Sequence, residues 1–185
     1  MVQSIELLLD DESERAVRAS WDALQAAELP SLAAHTGATN RPHVTVAVTD
    51  GTGFELAEAA LHAALEGWDL GGSGPTALIG APVLFGGQRQ RWVLARQVVP
   101  SRPLLTLHAA VHRALRLHAP DAAVLTKTLP DRWTPHVTLA RMVEGDRLGA
   151  ALSAIDAEPI PVRFTGARLW DSGTRTVTPL VRLHG

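Results

Sequence analysis

The chain has no cysteine, no tyrosine and, among its 17 basic residues, a single lysine, Lys127. Lack of cysteine removes disulfides, a thiol nucleophile and thiolate metal sites together. It fits a reducing compartment, and a cytoplasmic location is the expectation. No apolar run reaches the ~20 residues of a membrane span, so no membrane association is expected. The N-terminus enters an alternating, acid-flanked segment, and no signal peptide is expected. With three phenylalanines and five tryptophans, an aromatic platform for stacking bases is not obvious. The formal net charge is -2, whereas proteins that wrap long nucleic acid by its backbone are usually basic. A nucleic-acid substrate would therefore be small, or gripped only at its end.

What is present is globular: 46% of residues are apolar and 19% charged. The 185 residues suit one domain over 1–185, able to bury roughly 70% of its unfolded-chain surface. Apart from Lys127 the basic residues are arginines, which offer fixed charge and bidentate phosphate recognition. Compositional bias in an Ala/Arg-rich chain accounts for most of them.

The most informative feature is a repeat. Pro42-His43-Val44-Thr45-Val46-Ala47 returns as Pro135-His136-Val137-Thr138-Leu139-Ala140, 93 positions on, about half the chain length. Each copy sits in a β-branched run and reads as a strand. Side chains on a strand alternate, so His and Thr two apart share a face. The chain makes one device twice: an imidazole beside a hydroxyl.

The elements around the repeats fall in the same order in both halves. The pattern predicts strands over Ser4–Asp10, His43–Thr49, Thr76–Phe85, Trp92–Val99, His136–Val143, Ile160–Trp170 and Thr176–Leu183. It predicts helices over Asp11–Ala27, Phe54–Trp68, Ser101–His118 and Glu144–Ile155. Gly71–Pro75 is the best linear seam, although duplicated lobes can exchange terminal strands. Mostly antiparallel strands with intervening helices define an α+β class.

The paired His-Val-Thr motifs resemble those of the 2H phosphoesterases, the group that includes 2′-5′ RNA ligase-like proteins and 2′,3′-cyclic nucleotide phosphodiesterases. The resemblance covers nearly the whole chain. Arg91–Val99 with the following helix looks like the family's middle segment, and Phe164–Leu183 like its closing one. Leu139-Ala140-Arg141 looks like the ligase-like branch. The resemblance implies a bilobal internal duplication, two antiparallel sheets with outer helices around a central cleft, and one motif on each wall. It also implies metal-free chemistry, without a cofactor, on a 2′,3′-cyclic phosphate or a 2′-5′ phosphodiester. The implied partners are RNA termini or small nucleotides, and a monomer is expected.

Phosphodiester cleavage needs one proton removed from the nucleophile and one given to the leaving oxygen. Histidine suits both tasks because its ordinary pKa of about 6.5 leaves both forms populated near neutrality. His43 and His136 are the candidate acid and base, in an order the sequence leaves open. Thr45 and Thr138 are candidate donors to the non-bridging oxygens. The competing structural reading makes both histidines half-buried strand residues in a duplicated core. Hydrolysis is the first reading. A 2′-5′ ligase or phosphodiesterase activity, or a non-catalytic module holding nucleotides or RNA ends, is the alternative.

Three further residues are candidates for substrate contact. Trp133 could stack on a base or simply close the core. Arg41 shares the parity of His43 if the strand begins early. Arg141 points away from Thr138 on a regular strand, so contact with phosphate would need a bulge. His108 and His112 have the i,i+4 spacing of a zinc pair, but no third ligand accompanies them, and a polar helix flank is expected.

Overall fold

The computed structural model describes residues 2–51, 53–68 and 76–182; the Gly71–Pro75 seam lies outside them. The elements are β1 (Gln3–Leu9), α1 (Asp11–Ala26), β2 (His43–Thr49), α2 (Phe54–Glu66), β3 (Thr76–Gly86), β4 (Arg91–Val98), α3 (Arg102–His118), β5 (His136–Glu144), α4 (Leu148–Ala154), β6 (Ile160–Asp171) and β7 (Thr176–Arg182). The predicted order holds. The helix expected over Glu144–Ile155 is instead a 3-10 turn, Gly145–Arg147, followed by the short α4. Among the described residues no helix is long and apolar enough to cross a membrane.

Local chemistry sets the helix starts. The Asp10 carboxylate accepts from the Glu12 and Ser13 amides and opens α1, a cap of the kind worth about 1 kcal/mol. It also accepts the Arg163 amide at 2.7 Å, which pins the helix start to β6. Burial opposes the charge on Asp10, but the bonds from Ser13, Arg163 and Glu12 outweigh it and hold its pKa below the usual value. Ser101 caps α3, with Pro103 in the first turn.

All strand pairs are antiparallel, in the order β2-β1-β6-β3-β4-β5, with β7 also on β6. Strand β6, 12 residues long, joins the two halves of this seven-stranded sheet. Ile160–Arg163 pair with β3, and Phe164–Asp171 pair with β1. The C-terminal hairpin thus completes the sheet that the N-terminal strands began.

The two motif strands carry the same irregularity. In β2, Thr45 lies opposite Glu6 and Ala47 opposite Ile5, so Val46 is the extra residue. In β5, Thr138 lies opposite Ala95 and Ala140 opposite Leu94, so Leu139 is the extra one. A bulge reverses the parity of the strand residues beyond it. Ala47 and Ala140, both fully buried, therefore turn to the core.

The helices cross between halves. Helix α3 packs on β2, whereas α1 packs on β5 and β6. Each motif strand is backed by a helix from the other half. Trp21 of α1, 1% exposed, is among the largest side chains in that core.

Candidate active site

His43 and His136 open β2 and β5, each after a buried proline. In both, ring Nδ1 meets the carbonyl two residues earlier. His43 Nδ1 lies 2.7 Å from the Arg41 oxygen and His136 Nδ1 2.6 Å from the Thr134 oxygen. A carbonyl can only accept, so Nδ1 carries the hydrogen in both rings. Nε2 is then a lone pair in the neutral ring and a donor in the imidazolium. Both rings present the same nitrogen for proton transfer, the tautomer being set by the bond rather than by an observed hydrogen. Strands β2 and β5 pack together, and the His43 charge acts on His136.

The threonine carbonyls are fixed by two indoles. Trp133 donates to the Thr45 oxygen at 2.9 Å, and Trp21 donates to the Thr138 oxygen at 3.1 Å.

The surroundings of the two rings differ. His136 packs against Phe85, ring centroids 4.5 Å apart. Burial pushes its pKa below the ordinary value, the Thr134 carbonyl opposes this, and the charges of Lys127, His43 and Arg141 reinforce it. His43 has its Nε2 3.4 Å from Glu6 Oε1. Glu6, 3% exposed, also receives Arg168 Nε on Oε2 at 2.9 Å and the Ser4 hydroxyl on Oε1 at 2.9 Å.

Of the residues expected to touch substrate, Arg41 is engaged by Glu14, with Nε and Nη2 at 2.8 and 2.6 Å from Oε2. Arg18 holds the other oxygen at 2.8 Å. Burial opposes ionisation of Glu14, but hydrogen bonds from Arg41 and Arg18 prevail and its pKa is lowered. Arg41 and Arg168 border a cavity of about 390 Å³ beside β1 and the β6–β7 hairpin, with Leu8, Thr165 and Pro179. The bulge at Leu139 places Arg141 on the side of Thr138, the condition the sequence set for phosphate contact. Trp133 stacks on His108 at 4.0 Å with an interplanar angle of 5°, while its N–H is on Thr45. It occupies the core-closing position of the two that the sequence allowed.

His108 and His112 correct an expectation. They are not a polar helix flank: both are buried, at 3% and 7% exposure. Their phase matches Leu104, Val111 and Leu115 on the inner face of α3. His108 Nε2 bonds the Thr128 carbonyl at 2.8 Å, and His112 Nε2 the Val46 carbonyl at 3.3 Å. Burial, then the neighbouring His112, lowers the His108 pKa to about 4. Among the described residues no three His, Cys, Asp or Glu side chains group as metal donors.

The family model of the 2′-5′ RNA ligase superfamily matches residues 9–175, a span that contains both motifs. The chain belongs to the 2′-5′ RNA ligase superfamily. The 2H phosphoesterase resemblance read from the motifs is thereby established. No curated protein matches the chain by sequence. Solved structures with this fold include Kluyveromyces marxianus Usb1, 15% identical, TM-score 0.57, covering 97% of each chain. E. coli LigT in its apo form is 16% identical, TM-score 0.54, covering 98% of this chain and 95% of that one. The crystal structure of a phosphoesterase is 19% identical, TM-score 0.52, covering 98% and 96%. At such identities the likeness is one of fold.

Placing this superfamily member's motifs in three dimensions adds residues that no motif marks: Glu6, Arg168, Phe85 and Trp21. Glu6 left a trace, as a carboxylate inside the apolar strand Ile5–Leu9. Arg168 and Phe85 left none, because tertiary structure alone brings Arg168 to Glu6 and Phe85 to His136.

Proposed function

We propose that this protein is a metal-independent phosphoesterase that hydrolyses 2′,3′-cyclic phosphate ends of RNA, or small 2′,3′-cyclic nucleotides, by two-histidine acid–base catalysis. The observation that carries the reading is the matched pair of imidazoles. Each has Nδ1 tied to the carbonyl two residues back, so each offers Nε2 for proton transfer, on strands that pack together. One ring takes the proton of an attacking water. Oxygen bonds to phosphorus, the bond to one ribose oxygen breaks, and the other ring protonates that oxygen.

Thr45 and Thr138 lie two residues on, on the face of their histidine, and donate to the non-bridging oxygens. Arg141 adds positive charge next to His136, and Lys127 lies close enough to act on the same ring. Both histidines come from one chain, so a monomer suffices. The recorded ligands of two relatives of this fold suit a nucleotide-sized substrate: uridine monophosphate on K. marxianus Usb1 and 3′-AMP on E. coli LigT.

The test is incubation with each of the four 2′,3′-cyclic nucleotides, with and without EDTA, and identification of the monophosphate formed. Turnover that survives EDTA is expected. Turnover that EDTA abolishes and one metal restores would make the histidines ligands and overturn the mechanism. If no hydrolysis occurs but nucleotides raise the melting temperature, the binding-module reading replaces it.

A further inference from the structure

The internal duplication makes the two motifs alike, but their neighbours break the symmetry. Glu6 stands opposite Thr45 in β1, and the position matched to it in β4, opposite Thr138, is Ala95. Among the described residues, one histidine therefore has a buried carboxylate beside it and the other has none. We propose that Glu6, held by Arg168 and Ser4, is the counter-ion that makes His43 the proton-donating histidine, which leaves His136 as the base. The assignment of roles rests on the phosphoesterase reading above; the counter-ion role does not.

The geometry divides the carboxylate between two tasks. Oε2 takes Arg168 Nε at 2.9 Å. Oε1 takes the Ser4 hydroxyl at 2.9 Å and faces His43 Nε2 at 3.4 Å. A buried carboxylate without a partner would be costly, and Arg168, itself 7% exposed, supplies that partner. At 3.4 Å the contact with His43 is longer than an ordinary N–H···O bond. It acts as charge on charge and leaves the Nε2 proton free to point at a substrate. Glu6 thereby sets a carboxylate oxygen against the nitrogen from which His43 would give its proton.

The neighbouring arginines are themselves paired. Arg168 is held on Glu6. Arg41, just before β2, is turned onto Glu14 of α1, which also holds Arg18. Around His136 the charges of Lys127, His43 and Arg141, all of one sign, act on the ring. Phe85 covers that ring in place of a carboxylate. A ring among cations and an aromatic face suits the neutral base, and a ring beside a carboxylate suits the acid. In the forward reaction His136 gains the proton of water and His43 gives one to the ribose oxygen. Solvent then returns both rings to their starting states.

A merely structural ion pair would leave the pH profile in place, so the profile is the readout. Glu6→Gln keeps the shape and removes the charge; its amide oxygen can still accept from Arg168, and its NH2 can donate to the Ser4 hydroxyl in place of accepting from it. Its kcat profile should lose the alkaline limb at a pH lower by about one unit or more, with the rate about tenfold lower above it. The acid limb should stay put, and Glu6→Asp should recover part of the wild-type position. Movement of the acid limb instead would reverse the roles, and no movement of either limb would make Glu6 scaffold only.

Should Glu6→Gln fold poorly, the double variant Glu6→Gln/Arg168→Gln removes both charges together and gives the same readout. Ring NMR titration of His43, in wild type and in the variant, needs no turnover. If wild type hydrolyses no cyclic nucleotide, the phosphoesterase reading falls. Loss of the His43 imidazolium at lower pH in Glu6→Gln would still uphold the counter-ion, and identical titrations would overturn it.

Discussion

The indole of Trp21 donates to the carbonyl of Thr138, a residue 117 positions away on the motif strand of the opposite half. Trp133 does the same for Thr45, 88 positions away. The two motif threonines are thus held at their backbone by tryptophans outside their own strands. The bulge one residue later explains why this matters. Where a strand is irregular, ladder bonds are disrupted and a carbonyl needs another donor.

Trp21→Phe and Trp133→Phe isolate that donor. Each keeps a large apolar ring and removes the N–H, leaving a carbonyl unpaired, which costs about 1–3 kcal/mol. Denaturant melts should show that loss, and kcat should fall because the threonine is less firmly placed. Trp21→Ala, by also opening a cavity, should cost about 3–5 kcal/mol. A Trp21→Phe protein with unaltered stability and rate would show that the bond does not position Thr138.

The two histidines should dominate the kinetics. His43→Ala and His136→Ala are each expected to lower kcat by about 10²–10⁴-fold, the usual effect of losing a general acid or base. Thr45→Ala and Thr138→Ala should cost less, since water can partly replace one donor to a phosphate oxygen. The double histidine variant should be little worse than either single one, because the pair acts as a unit. Melting curves on each variant separate loss of chemistry from loss of fold. Near-wild-type turnover in either histidine variant would overturn the acid–base mechanism.

The repeat was legible because the chemistry was written twice in contiguous residues, and Pro-His-Val-Thr needs no tertiary information to be read as strand and face. Arg141 was legible only conditionally, since a one-residue bulge decides its side and bulges leave little mark in sequence. Glu6 meets Arg168 across 162 positions, through strand pairing that no local pattern reveals. His108 and His112 were misread for a different reason. Their residue type suggested a polar flank, whereas their spacing from Leu104, Val111 and Leu115 had already put them on the buried stripe. Periodicity outweighed polarity, and two carbonyls and a tryptophan face satisfied the rings.

That buried stack should make stability depend on pH. The His108 pKa is about 4 in the fold and near 6.5 when unfolded. Above 6.5 the ring is neutral in both states and its full contribution is present. Between 6.5 and 4 the unfolded chain binds a proton that the folded chain refuses, so stability falls as pH falls. His112, also lowered by burial, acts in the same direction. Unfolding free energies from denaturant melts should drop over this window by an amount on the order of 3 kcal/mol. His108→Gln, whose amide can still donate to Thr128, should flatten the dependence. An equally steep drop in that variant would place the titration elsewhere.

Arg141 offers a test in which binding and ionisation move together. Its guanidinium stands on the side of Thr138 and its charge disfavours imidazolium at His136. Arg141→Gln should therefore weaken attraction for a phosphate, raising KM, with the penalty shrinking as salt screens the charge. It should also let His136 hold its proton to higher pH. If His136 must be neutral to act as base, the acid limb of the rate profile then moves upward in pH. The wild-type acid limb should itself lie below the ordinary imidazole range, because burial depresses His136. Both limbs belong to the coupled pair, so the comparison is between profiles and not between single-site constants. A raised KM with an unmoved acid limb would leave Arg141 as a phosphate contact without influence on the base. A moved limb with unchanged KM would assign it to tuning His136 alone.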